Sequence, residues 1–197
     1  IYDVEEGELL IDDNNIKKIP LKVLRDSIGM VPQEAFLFSD SIEKNIGYTS
    51  DKPDFPLVEW ASKMAGLQKD IVNFPDKYKT EIGERGISLS GGQKQRTALA
   101  RALYRKPKIL ILDDSLSAVD TNTEEEILRE LKTIMKNRTS ILISHRISTI
   151  RNADYIIVLS EGKIAEEGTH EELLKMQGIY YNINQKQLLE EEIQETE

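Results

Sequence analysis

The sequence predicts an α/β fold, a mostly parallel sheet covered by helices with a helical lobe inserted into it. Three observations carry this. Consecutive apolar runs at 109–112, 141–143 and 155–159 have the length and the lack of alternation of strands buried on both faces of a parallel sheet. Segments of helical periodicity separate them, as crossover connections require. From Glu34 to about Lys106 the pattern changes to helix-period segments broken at Pro53, Pro56, Pro75, Gly83 and Gly86.

Taken in order, Gly7 to Asp12 reads as a turn leading into a short strand, closed by the turn-forming run Asp12-Asp13-Asn14-Asn15. Ile28-Gly-Met-Val is a second short strand, stopped by Pro32 and followed by Gln33. Helical periodicity from Val58 to Leu67 marks the lobe. Lys106-Pro-Lys-Ile-Leu-Ile-Leu112 returns the chain to the sheet. Thr121 starts a helix with Glu124 three residues on, a capping-box pattern, and Ile127, Leu128, Leu131, Ile134 and Met135 form its apolar stripe. Ser140-Ile-Leu-Ile-Ser144 is the next buried strand and precedes His145. Another, 155–159, runs into a Glu161-Gly162 turn and the strand-like Lys163-Ile-Ala. The last dozen residues, with five Glu and one Lys, read as a frayed helical tail.

The organisation expected is therefore 1–33 and 106–185 as the α/β core, 34–105 as the helical lobe and 186–197 as an acidic tail. With 26 Lys plus Arg against 35 Asp plus Glu the formal charge is −9, which disfavours a broad basic face for nucleic acid. Zero Cys excludes disulfides, thiolate metal sites and a Cys nucleophile. No apolar run approaches the roughly 18 residues that span a bilayer, and no signal peptide is visible.

The most informative stretch is Leu89-Ser-Gly-Gly-Gln93 and the helix behind it. Ser90 reads as an N-cap and Gln93 as its reciprocal partner, a capping box. Gly91 and Gly92 leave the first-turn N–H groups uncovered, so a phosphate could approach the backbone. Ala98, Leu99, Ala102 and Leu103 bury the helix, while Lys94, Arg96, Arg101 and Arg105 add positive potential. Ser-Gly-Gly alone reads equally well as a capped helix after a glycine turn. Twenty residues beyond Gln93, Asp113 and then Asp114 close an apolar run, where α/β folds bind ligands. Gln33 and His145 also follow expected strands, whose carboxyl ends would converge on the same rim.

Together these residues resemble the nucleotide-binding domain of ATP-binding cassette (ABC) transporters, essentially end to end. The resemblance implies a P-loop NTPase-like core with the helical lobe inserted. In that family Leu89 to Gln93 matches the signature sequence, so Ser90, Gly91, Gly92 and Gln93 would cap the γ-phosphate of ATP held by a partner domain. Asp113 matches the Walker B residue that helps to hold Mg²⁺. Gln33 matches the Q-loop glutamine, which contacts metal and water and couples to the membrane domain. His145 matches the switch histidine, and Ser117, Ala118 and Asp120 fall in the D-loop between subunits. Glu81-Ile-Gly-Glu-Arg-Gly86 and the Gly162 to His170 stretch resemble multidrug or lipid half-exporters. ATP and Mg²⁺ are the implied cofactors. The implied partners are a second nucleotide-binding domain, in a homo- or heterodimer, and a transmembrane domain; no nucleic acid is expected. The implied location is the cytoplasmic face of the cell membrane.

Two departures from the family pattern shape the expectations. The phosphate-binding loop Gly-x-x-x-x-Gly-Lys-[Ser/Thr] and the β subdomain before it are not in this sequence; relatives place that loop about one helix upstream of Ile1. Each charge-assisted hydrogen bond it would supply is worth roughly 1.5–3 kcal/mol, so these residues alone are not expected to hold ATP with useful affinity. They are also expected to expose strand edges and an apolar seam. The second departure is Asp114, where active members usually carry Glu, which implies a slow or degenerate catalytic position. Two other readings stay open: a non-transport ABC ATPase, and an inactive module serving only dimerisation. Chromosome-maintenance relatives insert long coiled coils between the positions of Gln33 and Ser90, where this chain has only residues 34–89.

Overall fold

The computed structural model describes residues 4, 6–83 and 87–194. Tyr2, Asp3 and Glu5 of the opening stretch, Glu84, Arg85 and Gly86 of the exporter-like segment, and the last three tail residues lie outside the described residues. Among the described residues no helix is long and apolar enough to cross a membrane.

Strands β1 (Leu10–Ile11) and β2 (Asn14–Asn15) form a tight hairpin. Asp12 and Asp13 both take left-handed φ values, 47° and 62°, as a two-residue type I′ turn requires. The four-residue turn expected here is thus only two residues long, and Asn14 and Asn15 pair back onto the first strand. Helix α1 (Leu21–Ser27) then leads into β3 (Ile28–Val31). The lobe follows as α2 (Ile42–Ile46), α3 (Phe55–Met64), α4 (Gln68–Ile71) and the long α5 (Gly91–Tyr104). The chain returns through β4 (Ile109–Asp113), α6 (Thr121–Met135), β5 (Thr139–Ile143) and the short α7 (Ile147–Ile150). It ends with β6 (Ile156–Ser160), β7 (Lys163–Gly168), α8 (His170–Met176) and α9 (Ile179–Gln194).

β3, β4 and β5 form a parallel three-stranded sheet with β4 central. The fold is therefore the α/β class expected. One face carries Val31, Leu110 and Leu112 into a core shared with Leu99 and Leu103 of α5 and Ile127 and Leu131 of α6. The other face is open: Met30 of β3 is 52% exposed, and Ile141 and Ile143 of β5 are 47% and 49% exposed. The strands are consequently buried on one face rather than both, because the described helices cover one side only. Their unbroken apolar runs are the mark of a sheet with two apolar faces, and the second face is the apolar seam.

Two further expectations are corrected. The 155–159 run does not join the parallel sheet. It pairs antiparallel with β7 around Glu161 and Gly162, whose φ values of 50° and 72° again make a tight hairpin. The cap of α6 is Asp120, one residue before Thr121: its carboxylate accepts from the Thr123 N–H at 3.0 Å. Glu124 therefore stands one position too late for a capping box, and its side chain is buried instead. A second apolar cluster, Ile147, Ile156, Leu173 and Tyr180, ties α7 to β6, α8 and α9.

Candidate nucleotide site

The parallel register sets the first part of the site. Val31 lies opposite Leu112, and Asp113 opposite Ile143, so the three strands end level with one another. Gln33 follows β3 by two residues, Asp113 ends β4, and His145 follows β5 by two. All three stand on one rim, with neighbouring strands about 4.8 Å apart. Gln33 and His145 are exposed and Asp113 is half-buried. Asp114 turns the chain sharply off the sheet. Its φ is +43°, a conformation aspartate tolerates better than most residues. Its N–H donates to Ile143 at 2.8 Å, and its carbonyl accepts from the Ser117 hydroxyl at 2.9 Å.

The second part is the tip of α5. Ser90 Oγ accepts from the Gln93 N–H at 3.2 Å, and Gln93 Oε1 accepts from the Ser90 N–H at 3.0 Å, closing the expected capping box. A cap of this kind is worth about 1 kcal/mol. Ser90 and Gly91 are exposed, while Gly92 is buried against the segment 115–120. A Cβ on Gly92 would lie 2.8 Å from the Ala118 carbonyl oxygen, so only glycine lets the tip sit this close. Ala98, Leu99, Ala102 and Leu103 are all buried, as the spacing predicts.

The basic residues behind the tip are mostly spoken for. Arg96 binds the Asp70 carboxylate and the Gly66 carbonyl, both at 2.7 Å. Arg101 donates to the Asn45 and Phe36 carbonyls at 2.7 and 2.8 Å and lies over the Phe38 and Tyr48 rings. Burial lowers the pKa of its guanidinium. Arg105 pairs with Asp26 at 3.0 Å. The positive end at Ser90 thus comes from the uncovered N–H groups of the helix rather than from these three side chains.

Four residues to which the sequence pattern assigns no part in the site hold it together. Gln95, buried in α5, donates to Ser117 Oγ at 3.0 Å and accepts from the Ala118 N–H at 2.9 Å. Asp70 receives both Gln93 Nε2, at 2.9 Å, and Arg96. Glu124 binds Arg146 and the Thr149 hydroxyl, and Arg146 also reaches the Val119 and Ser117 carbonyls at 3.2 and 3.1 Å. Gln95 and Glu124 left a trace in the sequence: each is a polar residue at a buried position of an apolar stripe, Gln95 with Leu99, and Glu124 with Ile127 and Leu131. Asp70 left none.

A cleft of about 290 Å³ has a lining that includes Phe36, Phe38, Ile82, Leu89 and Lys94. It joins the segment after β3 to the segment before the α5 tip.

Comparison with known proteins decides the family. The profile of the family described as ABC transporter matches residues 1–117. The chain belongs to the ABC transporter family. A heavy metal tolerance protein of Schizosaccharomyces pombe is 47% identical to this ABC chain over 180 residues, covering 91% of it and 22% of the relative. An ATP-dependent lipid A-core flippase of Syntrophus aciditrophicus is 45% identical over 194 residues, covering 98% and 32%. The solved structure of a bacterial Atm1-family ABC exporter with ATP bound superposes with a TM-score of 0.89 at 43% identity, over 95% of this chain and 33% of that one. The ABC chain therefore spans about a fifth to a third of the length of these relatives.

Among the described residues no group of three or more His, Asp or Glu side chains could hold a cation unaided. Mg²⁺ does not need one: it takes one or two carboxylates and completes its shell with substrate phosphates and water. Asp113, half-buried at the end of β4, is a carboxylate of that kind.

Proposed function

We propose that this chain is the nucleotide-binding domain of an ABC exporter and works in a pair. The exposed, capped glycine tip at Ser90, seated on the 115–120 segment, carries the reading. ATP-driven transport at the general level is supported by the family and by relatives named as exporters and a flippase. In the paired state Ser90, Gly91 and Gly92 of one domain would meet the triphosphate bound to the other. Gln93 serves that contact by fixing the tip, since both ends of its amide are engaged at Ser90 and Asp70.

Within one domain, Asp113 and Gln33 would hold Mg²⁺, which when bound supplies neutralisation of phosphate charge. His145 would orient the γ-phosphate, and Asp114 would accept a proton from the attacking water. Aspartate is one methylene, about 1.5 Å, shorter than glutamate, and misplacement of that order costs a general base much of its effect. The chain's own site is therefore slow, while its intact tip completes the site of the partner. Ser117, Ala118 and Asp120 would line the junction between the two domains. The cleft beside Phe36 and Phe38 would seat a cytoplasmic segment of the transmembrane domain, with 1–33 and 106–185 as the ATPase core, 34–105 as the lobe and 186–197 as a tail.

The test is MgATP turnover by the complete natural protein, with nucleotide binding measured separately. Asp113→Asn and Ser90→Arg are each expected to lower turnover at least about 100-fold, Ser90→Arg without loss of ATP binding. Full turnover in Ser90→Arg would refute the paired site. Turnover without any membrane-spanning partner segment would favour a non-transport ATPase.

A further inference from the structure

We propose that Gln187, on the C-terminal helix α9, is a positioning residue for His145. The proposal rests on reading His145 as the residue that orients the γ-phosphate.

Gln187 Nε2 donates to the His145 carbonyl at 2.6 Å, and Gln187 Oε1 accepts from the Ile147 N–H at 2.8 Å. One amide thus takes up the backbone groups on either side of Arg146, as a neighbouring strand would. The opposite side of the loop is held by Arg146, through Glu124 and the Ser117 and Val119 carbonyls. The Arg146 N–H donates to Ser144 Oγ at 3.0 Å, and the Ile147 side chain is buried against Ile156, Leu173 and Tyr180. The backbone around His145 is therefore fixed from both sides while its side chain stands exposed. Such a loop presents an imidazole in one place instead of letting it wander.

The anchor on the α9 side is firm. Tyr180 lies seven residues before Gln187, two turns along the same helix face. It is buried, its hydroxyl meets His170 Nδ1 at 2.8 Å, and its N–H donates to Glu166 at 3.0 Å. The register of α9 is set there, and Gln187 carries that register to the histidine loop. Displacing α9 would withdraw the clip and free the loop, so the C-terminal helix sets the catalytic competence of His145.

The experiment is a double-mutant cycle in the complete natural protein. Gln187→Leu keeps the volume and removes both hydrogen bonds. It is expected to lower kcat about five- to tenfold with KM for ATP within about twofold. In a His145→Ala background it is expected to cost nothing further. An equal fold-loss in both backgrounds would overturn the proposal, because Gln187 would then act on general stability. An unchanged kcat in Gln187→Leu overturns it as well. Full activity of His145→Ala would instead sink the reading of His145 itself. Should Gln187→Leu fail to fold, Gln187→Asn, which shortens the side chain by one methylene, carries the same expectations. Hydrogen exchange at the Ile147 amide supplies the structural readout: slow in the natural protein and faster in the variant if the clip is real, unchanged if it is not.

Discussion

Removing Arg146 should cost more than removing the charge of its partner. The pair is lopsided: the Glu124 side chain is 2% exposed and that of Arg146 is 39% exposed. Arg146→Ala leaves a carboxylate in the interior whose one remaining hydrogen-bond partner among the described residues is the Thr149 hydroxyl. Orphaning a fully buried charge costs about 3–5 kcal/mol. Because water already reaches Arg146, screening reduces this to about 2–3 kcal/mol. Glu124→Gln strands nothing comparable, since the guanidinium keeps the Ser117 and Val119 carbonyls and its solvent face. That loss is about 1 kcal/mol. Urea unfolding followed by the single tryptophan, Trp60, reads both variants. In a chain of this size about 2–3 kcal/mol lowers Tm by roughly 5–10 °C, against about 2–4 °C for the glutamine variant. The paired replacement Glu124→Met with Arg146→Leu should be less damaging than Arg146→Ala alone, since it leaves no buried charge. The reasoning is refuted if Glu124→Gln is as costly as Arg146→Ala, or if the double variant is the least stable of the three.

Three further outcomes are expected. Gly92→Ala should destabilise by about 1–2 kcal/mol, because its Cβ would meet the Ala118 carbonyl oxygen at 2.8 Å, whereas Gly91→Ala meets only the Ala118 Cβ at 3.3 Å and should cost much less; denaturant midpoints in the reverse order would contradict the close approach. Asp114→Glu in the complete protein should raise ATP turnover at least about tenfold while lowering Tm by one or two degrees, as the left-handed backbone at this position suits aspartate better; unchanged turnover would count against a slow base. Asp120 caps α6, and the hydrogen bond from the Thr123 N–H holds its carboxyl below the ordinary aspartate value. Its stabilisation is therefore complete above that value, about 3.9, and is lost as pH falls through the lower folded-state value. Asp120→Asn still caps without titrating, so its acid limb of stability against pH should be flatter than that of the natural chain; superimposable limbs would refute the assignment.

What could be read from the residues alone follows from how local each signal is. The capping box at Ser90 and Gln93 is a four-residue device whose partners are fixed by spacing, and it formed as expected. The rim of Gln33, Asp113 and His145 needed only the parallel order of three strands. The cap of α6 misled because Asp120 and Thr121 are both capping residue types, and the choice went to the one whose carboxylate reaches Thr123. Once Asp120 takes the cap, Glu124 turns inward to Arg146, a contact across 22 residues that no local pattern specifies. The strands looked buried on both faces because their composition is apolar on both faces, yet the chain's own helices cover only one. Gln187 and Asp70 were invisible for the same reason: an exposed-looking polar residue on a short or amphipathic helix gains meaning only when the tertiary fold sets it beside a backbone or a partner side chain.

The most direct measurement is hydrogen exchange at the Gly91 and Gly92 amides in the complete protein, with and without saturating MgATP under conditions that block hydrolysis. These N–H groups lie in the first turn of α5, where a helix offers them no internal acceptor. The expected result is marked slowing of both on nucleotide binding, abolished when pairing of the two domains is prevented. Unchanged exchange at both amides with nucleotide bound would contradict a glycine tip that closes over the triphosphate of its partner.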